Sequence, residues 1–136
     1  MQATGLSTTS RIPLGTPVIY YNKWTGFETN RFRGQFTSLS AKELRELAPG
    51  TTIYKEVDPL HPHGQVYGRM KGMIVSITPK DESSIWVEYD FGGLGRGSTR
   101  IELDAASTDF AIVSDEGVLA DLLDEMPAAK TIDRRH

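Results

Sequence analysis

The chain contains no cysteine, only three histidines and no long apolar run. Without cysteine it can form neither a disulfide-stabilised scaffold, nor a cysteine nucleophile, nor a thiolate zinc site. No apolar stretch approaches the roughly 20 residues that a membrane-spanning helix requires. The first 15 residues also lack the charged and then apolar layout of a signal peptide. These features are compatible with a cytoplasmic protein, and we expect no cofactor.

Basic residues are missing from the stretch 101–126, which carries eight acidic residues. Residues 1–80 hold ten Lys/Arg and five Asp/Glu, a net charge of +5, whereas residues 81–136 hold five and thirteen, a net charge of −8. This asymmetry bears on partners rather than on fold. With 136 residues, of which 38% are hydrophobic and 24% charged, the chain has the composition of one globular domain with extensions.

Alternation of apolar and polar residues predicts a β-rich centre at residues 49–113. Between residues 85 and 91, Ile85, Val87 and Tyr89 alternate with Trp86 and Glu88, so one face of this strand is apolar and the other is mixed. Five strands are predicted, at 51–57, 72–78, 85–91, 99–103 and 109–113. The predicted connections are a long loop (58–71), a compact turn (79–84), a glycine-rich turn (92–98) and a short link (104–108) resembling one helical turn. This order of lengths predicts a mainly β fold, a small five-stranded SH3-like barrel.

The barrel is predicted to carry an N-terminal strand and hairpin extension and two short helices. Residues 1–17, rich in Ser, Thr, Gly and Pro, predict a flexible arm, or an arm that becomes ordered on a partner. Residues 18–48 begin with a strand at 18–21 and end in a helix near 39–48, because Ser40 and Glu43 form a capping box. Residues 114–136 predict an acidic amphipathic helix over 116–126, capped by Ser114 or Asp115, and then a loose tail.

No nucleophile, base and orienting residue share a recognisable spacing, so we expect a protein that is not an enzyme. The glycines at 92–97 do not form a phosphate-binding loop, because a strand and not a helix follows them. His61 and His63 would face the same way on an extended loop. Zinc needs at least a third ligand, however, and nothing nearby supplies one, so no metal site is predicted.

The favoured function is a binding module, an adaptor or inhibitor that docks on a larger protein or protein–nucleic acid machine through its loops and strand faces. The predicted partner-binding residues are Tyr54, Tyr67, Arg69, Trp86, Arg96 and Arg100. One alternative is a structural subunit of a symmetric homo-oligomer that exchanges its N-terminal arm and C-terminal helix. A second is a nucleic-acid-binding protein. The residues that would contact nucleic acid are Lys23, Trp24, Arg31, Arg33 and Phe36. The acidic C-terminal third favours a protein partner, because it repels a phosphate backbone.

Overall fold

The computed structural model describes residues 12–18, 21–22, 32, 34–57 and 66–125. This part of the chain contains seven strands, two short α-helices and one 3-10 turn. In chain order the elements are β1 (Tyr21–Asn22), β2 (Phe36–Ser38), α1 (Ala41–Arg45), β3 (Thr52–Val57), β4 (Val66–Asp81), β5 (Ser84–Asp90), the 3-10 turn (Gly92–Leu94), β6 (Arg96–Glu102), β7 (Phe110–Val113) and α2 (Glu116–Asp124).

Six strands form one antiparallel sheet in the order β2-β7-β3-β4-β5-β6, and β1 pairs with the first residues of β4. β4 organises this sheet, because it pairs with β3 over its first half and with β5 over its second half. It is longer than the predicted strand 72–78 and takes in the end of the predicted loop 58–71 and the first half of the predicted turn 79–84. Pro79 is tolerated here because the register with β5 shifts between Pro79 and Asp81.

β2 and β6 are the two edges of this sheet, and within the described ranges no pairing joins them. The sheet is therefore not closed, and the predicted SH3-like barrel is not confirmed. The coarser prediction, a mainly β fold with two short helices, is confirmed. Closure depends on the bend of β4 and on the path of the connections, neither of which the alternation of side chains specifies.

The sheet buries side chains on both faces. Ile53 and Tyr54 are consecutive residues of β3, yet they belong to different cores because successive side chains point to opposite faces. The first core is lined by Leu39, Leu44, Ile53, Ile74, Ile85, Val87, Tyr89 and Phe110. The second core lies under α2 and the N-terminal segment, and its buried members are Ile12, Val18, Phe32, Tyr54, Leu119 and Ala120.

The helix caps agree with the sequence. The Ser40 hydroxyl accepts from the Glu43 backbone N–H at 3.1 Å, and the Glu43 carboxylate accepts from the Ser40 N–H at 2.9 Å. Asp115 caps α2 by accepting from the Val118 N–H at 3.1 Å. Both helices are shorter than predicted. Residues 103–104 form a turn where a helical turn was expected at 104–108.

The end of the predicted flexible arm lies against the sheet. The Gly15 N–H donates to the Lys71 carbonyl at 2.7 Å, and the Val18 N–H donates to the Arg69 carbonyl at 2.7 Å. Residues 15–18 thus form hydrogen bonds with the same edge of β4 that pairs with β5 further along the strand. The predicted strand at 18–21 is represented by β1, which begins at Tyr21.

Candidate binding surface

The outward face of β4, β5 and β6 presents a partly exposed tryptophan between two cations. Trp86 lies on β5 directly between Thr78 of β4 and Arg100 of β6. The ammonium nitrogen of Lys80 lies 5.2 Å from the centroid of the Trp86 ring, within the range of a cation–π interaction. The neighbouring residues Ile85 and Val87 point into the core. The backbone that carries Trp86 is therefore held rigidly from both strands and from below.

Arg100 is oriented by three neighbours and still keeps half of its side chain in solvent. Its Nε donates to the Ser84 hydroxyl at 3.1 Å, and its terminal nitrogen lies 3.4 Å from Asp81 Oδ2 and 3.2 Å from Glu102 Oε2. Half of the Arg100 side chain is exposed. These contacts hold the guanidinium beside Trp86 and leave donors available to a partner.

The carboxylate of Asp81 organises the turn between β4 and β5. Its Oδ1 accepts from the Ser83 N–H and from the Ser84 hydroxyl, each at 2.9 Å. The Ser83 N–H, the Ser84 hydroxyl and the charge of Arg100 hold the pKa of this carboxyl below its usual value. Asp81 thus remains ionised and keeps Arg100 at the end of the surface.

Arg96 lies on the same face at the other end of β6. Its side chain is 71% exposed, and Nε lies 3.7 Å from Asp90 Oδ2. Asp90 in turn accepts from the Gly92 N–H at 2.8 Å, which stabilises the tight turn where Gly92 and Gly95 have positive φ. Arg96 and Arg100 are four residues apart on one strand, about 13 Å. We define the meander surface as Lys80, Trp86, Glu88, Arg96 and Arg100.

Of the six predicted partner-binding residues, the structure brings Trp86, Arg96 and Arg100 together on the meander surface. Tyr54 is not on the surface. It is 1% exposed, because its side chain packs in the second core under α2. Arg69 is also largely enclosed; it donates to the Tyr54 and Asp109 carbonyls at 3.1 and 2.9 Å. Burial lowers the pKa of its guanidinium, and the nearby Glu56 and Asp109 oppose this effect. Tyr67 lies on β4 opposite Tyr21, away from Trp86.

The predicted nucleic-acid contacts fall mostly outside the described residues, as Lys23, Trp24, Arg31 and Arg33 do. Phe36 is described and is half-buried in the second core. Its ring meets that of Tyr54 edge to face at 5.5 Å between centroids, and the Arg69 guanidinium lies 5.6 Å from its centroid. Phe36 therefore packs within the fold.

Metal ligands do not converge in the part of the chain that the structure covers, where no group of three His, Asp or Glu side chains could hold an ion. His61 and His63 lie outside that part. Neither described helix has the length and apolar content needed to cross a membrane.

A buried polar network under α2 has no counterpart among the predicted site residues. The Lys71 ammonium donates to the Ile12 carbonyl at 2.7 Å and to Glu116 Oε1 at 3.0 Å, and the Tyr54 hydroxyl donates to the other Glu116 oxygen. Burial first, and then the hydrogen bond and charge of Glu116, raise the pKa of Tyr54 well above its ordinary value of 10. Lys71 and Glu116 are 45 residues apart, so no local pattern in the sequence pairs them.

A groove of about 270 Å³ lies beside the second half of β6, on the open side of the sheet. It is lined by Thr99 and Ile101 of β6, by Ser107 and Phe110, and by Lys55 of β3. The Lys55 ammonium lies 5.4 Å from the Tyr89 ring centroid and 5.7 Å from that of Phe110. The same ammonium lies 3.9 Å from Asp109 Oδ2, and 15% of the Lys55 side chain is exposed.

Comparison of the chain with protein-family models, with curated protein sequences and with solved structures finds no match.

Proposed function

We propose that this chain is a non-enzymatic binding module, an adaptor or inhibitor in the cytoplasm, that docks on a larger protein through the meander surface. The observation that supports this most directly is the partly exposed Trp86 between Lys80 and Arg100 on paired strands. Tryptophan and arginine are enriched among the residues that dominate binding energy at protein interfaces. A tryptophan whose backbone is already rigid loses little conformational entropy when a partner covers it.

The charge around Trp86 favours a protein over a nucleic acid. Glu88 is exposed on the same strand face, and Asp81 and Glu102 lie within 3.4 Å of the Arg100 guanidinium. A phosphate backbone would meet these carboxylates together with the arginines, and their repulsion would cancel much of the attraction. A protein surface with both signs of charge can complement such a mixture.

We further infer that the architecture is an opened form of an SH3-like barrel. Its last strand, β7, returns to pair beside its first long strand, β3, and the intervening strands β4, β5 and β6 form a meander. This order suits an SH3-like barrel that stays open along β6, where the groove lies. Such a scaffold leaves loops and one sheet face free for binding.

Affinity capture from the native cell with three immobilised variants tests the proposed function. We expect the wild-type chain to retain a specific protein, and Trp86→Ala and Arg100→Ala each to lose most of it. Arg45→Ala is the matched control, because Arg45 is exposed on α1, away from the meander surface. If the retained protein is the same for all variants, the meander surface is not the binding site. If salt-sensitive nucleic acid is retained instead, the protein-binding proposal fails.

A further inference from the structure

β6 presents an open row of backbone donors and acceptors. The Phe91 N–H donates to the Gly95 carbonyl at 2.8 Å, and the Leu103 N–H donates to the Ser83 carbonyl at 2.8 Å. Antiparallel bonding alternates along a strand, so residues 97, 99 and 101 also bond to β5. The backbone groups of residues 96, 98, 100 and 102 therefore point to the opposite side. Within the described chain, no strand pairs with that side.

The charges along this edge are self-complementary. β6 reads Arg-Gly-Ser-Thr-Arg-Ile-Glu from Arg96 to Glu102, so a cation stands at its start and an anion at its end. When such a strand meets a copy of itself running in the opposite direction, the two ends come together with opposite charges. We propose that two copies of this chain form a symmetric dimer by antiparallel pairing of β6 with β6, with Thr99 facing Thr99 of the second copy on the twofold axis.

In this register Arg96 lies opposite Glu102 of the second copy, and Ser98 lies opposite Arg100 of the second copy. The twofold axis repeats each contact, so the dimer contains two Arg96–Glu102 pairs. Their side chains project to the same face of the joined sheet, because directly opposed residues of an antiparallel pair do so. Arg96 is 71% exposed and Glu102 52% exposed, so both side chains can reach across without uncovering the core.

The charges also disfavour the neighbouring registers. A shift by two residues in one direction places Arg96 opposite Arg100 of the second copy. A shift by two in the other direction places Arg100 opposite its own equivalent. Both bring like charges face to face, which is destabilising. A shift by one residue would oppose outward-facing backbone groups with groups already bonded to β5, so no ladder could form.

At the centre of the proposed pairing, the outward-facing backbone groups of Ser98 and Arg100 form hydrogen bonds with the second copy. Ser98 and Arg100 each offer an N–H and a carbonyl, and in the proposed register each exchanges both with the other residue of the second copy. At the ends, the Glu102 carbonyl already accepts from the Ala105 N–H at 3.0 Å. The outermost contacts therefore depend mainly on the Glu102 N–H and on the Arg96–Glu102 ion pairs.

This pairing goes beyond the proposed function and does not depend on it. It would join two meander surfaces into one continuous face that carries both Trp86 side chains. Ser98→Pro tests the dimer without changing any residue of the meander surface, and Trp86→Ala is expected to leave dimerisation unchanged. Failure of the dimer and failure of partner binding can therefore be distinguished.

Variants in which the charges of Arg96 and Glu102 are reversed test the dimer. The measurement is sedimentation velocity over a series of protein concentrations up to about 0.5 mM. We expect the wild-type chain to dimerise as its concentration rises. Arg96→Glu and Glu102→Arg should each raise the dissociation constant about tenfold or more, because each replaces two attractive cross-strand pairs by two repulsive ones. The double variant Arg96→Glu/Glu102→Arg restores both cross-strand pairs with their signs exchanged, so its dissociation constant should return toward the wild-type value, although the new charges stand beside Asp90 and Arg100 of the same chain. Arg45→Glu, which changes the charge by the same amount on α1, should have no effect.

A backbone variant supplies a second test that does not depend on charge. Ser98→Pro removes the N–H that points to the second copy, and proline is tolerated on an edge strand where its nitrogen faces solvent. We expect a folded monomer by circular dichroism and no dimer. A wild-type chain that remains monomeric throughout the series would overturn the proposal. So would a double variant as weak as the single ones, or a dimer that persists in a folded Ser98→Pro chain.

Discussion

Trp86 and Val87 are consecutive residues of β5 that lie in opposite environments. Val87 is fully buried in the first core among Ile74, Ile85 and Phe110. Trp86 faces outward beside Lys80. The period of two along a strand produces this contrast, so the two positions should tolerate substitution very differently.

Val87→Asp should abolish cooperative unfolding or cost more than about 4 kcal/mol, because it buries an unpaired carboxylate in the first core. Trp86→Ala should cost only about 1–2 kcal/mol, since part of this side chain is already in solvent. Urea denaturation followed by far-ultraviolet circular dichroism measures both. Equal losses for the two variants would show that the face assignment of β5 is incorrect.

Tyr54 should make stability fall at high pH. Its pKa in the folded chain lies above the ordinary value of 10, so the folded state resists ionisation that the unfolded state accepts. The contribution is fully present below about pH 10 and declines above it, by up to about 1.4 kcal/mol per pH unit.

Tyr54→Phe should remove this contribution. The variant should be about 1 kcal/mol less stable than the wild type at pH 7, because the hydrogen bond to Glu116 is lost. The difference should shrink, or change sign, between about pH 10 and 11.5. Urea denaturation of both chains across this range measures the change. Stability curves that stay parallel would contradict the assignment of the effect to Tyr54.

At the scale of elements, α2 is attached to the sheet by apolar and polar contacts together. Leu119 is fully buried against the second core, and Leu122 and Leu123 pack at its margin. Glu116, in the first turn of α2, binds the buried Lys71 of β4. An acid at this position also interacts favourably with the helix dipole. The Glu116–Lys71 ion pair should therefore contribute more to the stability of the folded chain than an ion pair on the surface does.

Glu116→Ala should cost about 2–3 kcal/mol, because it removes the carboxylate that pairs with the enclosed Lys71 ammonium at 3.0 Å. In a double-mutant cycle with Lys71→Met, the double variant should be more stable than the sum of the single losses predicts. Urea denaturation measures the cycle. Glu82→Ala, in the exposed turn after β4, serves as the control and should change stability by less than about 0.5 kcal/mol. Strict additivity would show that the two side chains are not coupled.

At the scale of the whole molecule, the decisive feature is that the sheet stays open along β6. Amide hydrogen exchange should report this directly. In a monomeric sample, such as the Arg96→Glu variant, the amides of Thr99 and Ile101 should be protected by β5, and those of Ser98 and Arg100 should exchange freely. Protection of all four amides in a verified monomer would mean that the sheet is closed by contacts on its β6 side.

Much of the fold was predictable because it depends on neighbours in sequence. The buried and exposed faces of β5, the glycine turn after it and the capping box at Ser40 all follow from local patterns. The site was predictable in part. Trp86, Arg96 and Arg100 lie on one surface because they occupy alternate positions of two adjacent strands. Tyr54 is aromatic, as Trp86 is, but its side chain is buried under α2. Only the packing of segments that are distant in sequence determines this burial.

The sequence by itself determined that the fold is mainly β, where the two helices begin, and which side of the β5–β6 hairpin is apolar, because caps and side-chain alternation are local properties. The tertiary structure decided that Tyr54, Lys71 and Glu116 meet under α2, that β4 runs through the predicted loop and turn, and that β6 remains an edge. These outcomes depend on segments tens of residues apart competing for the same surface, a competition that no local pattern records.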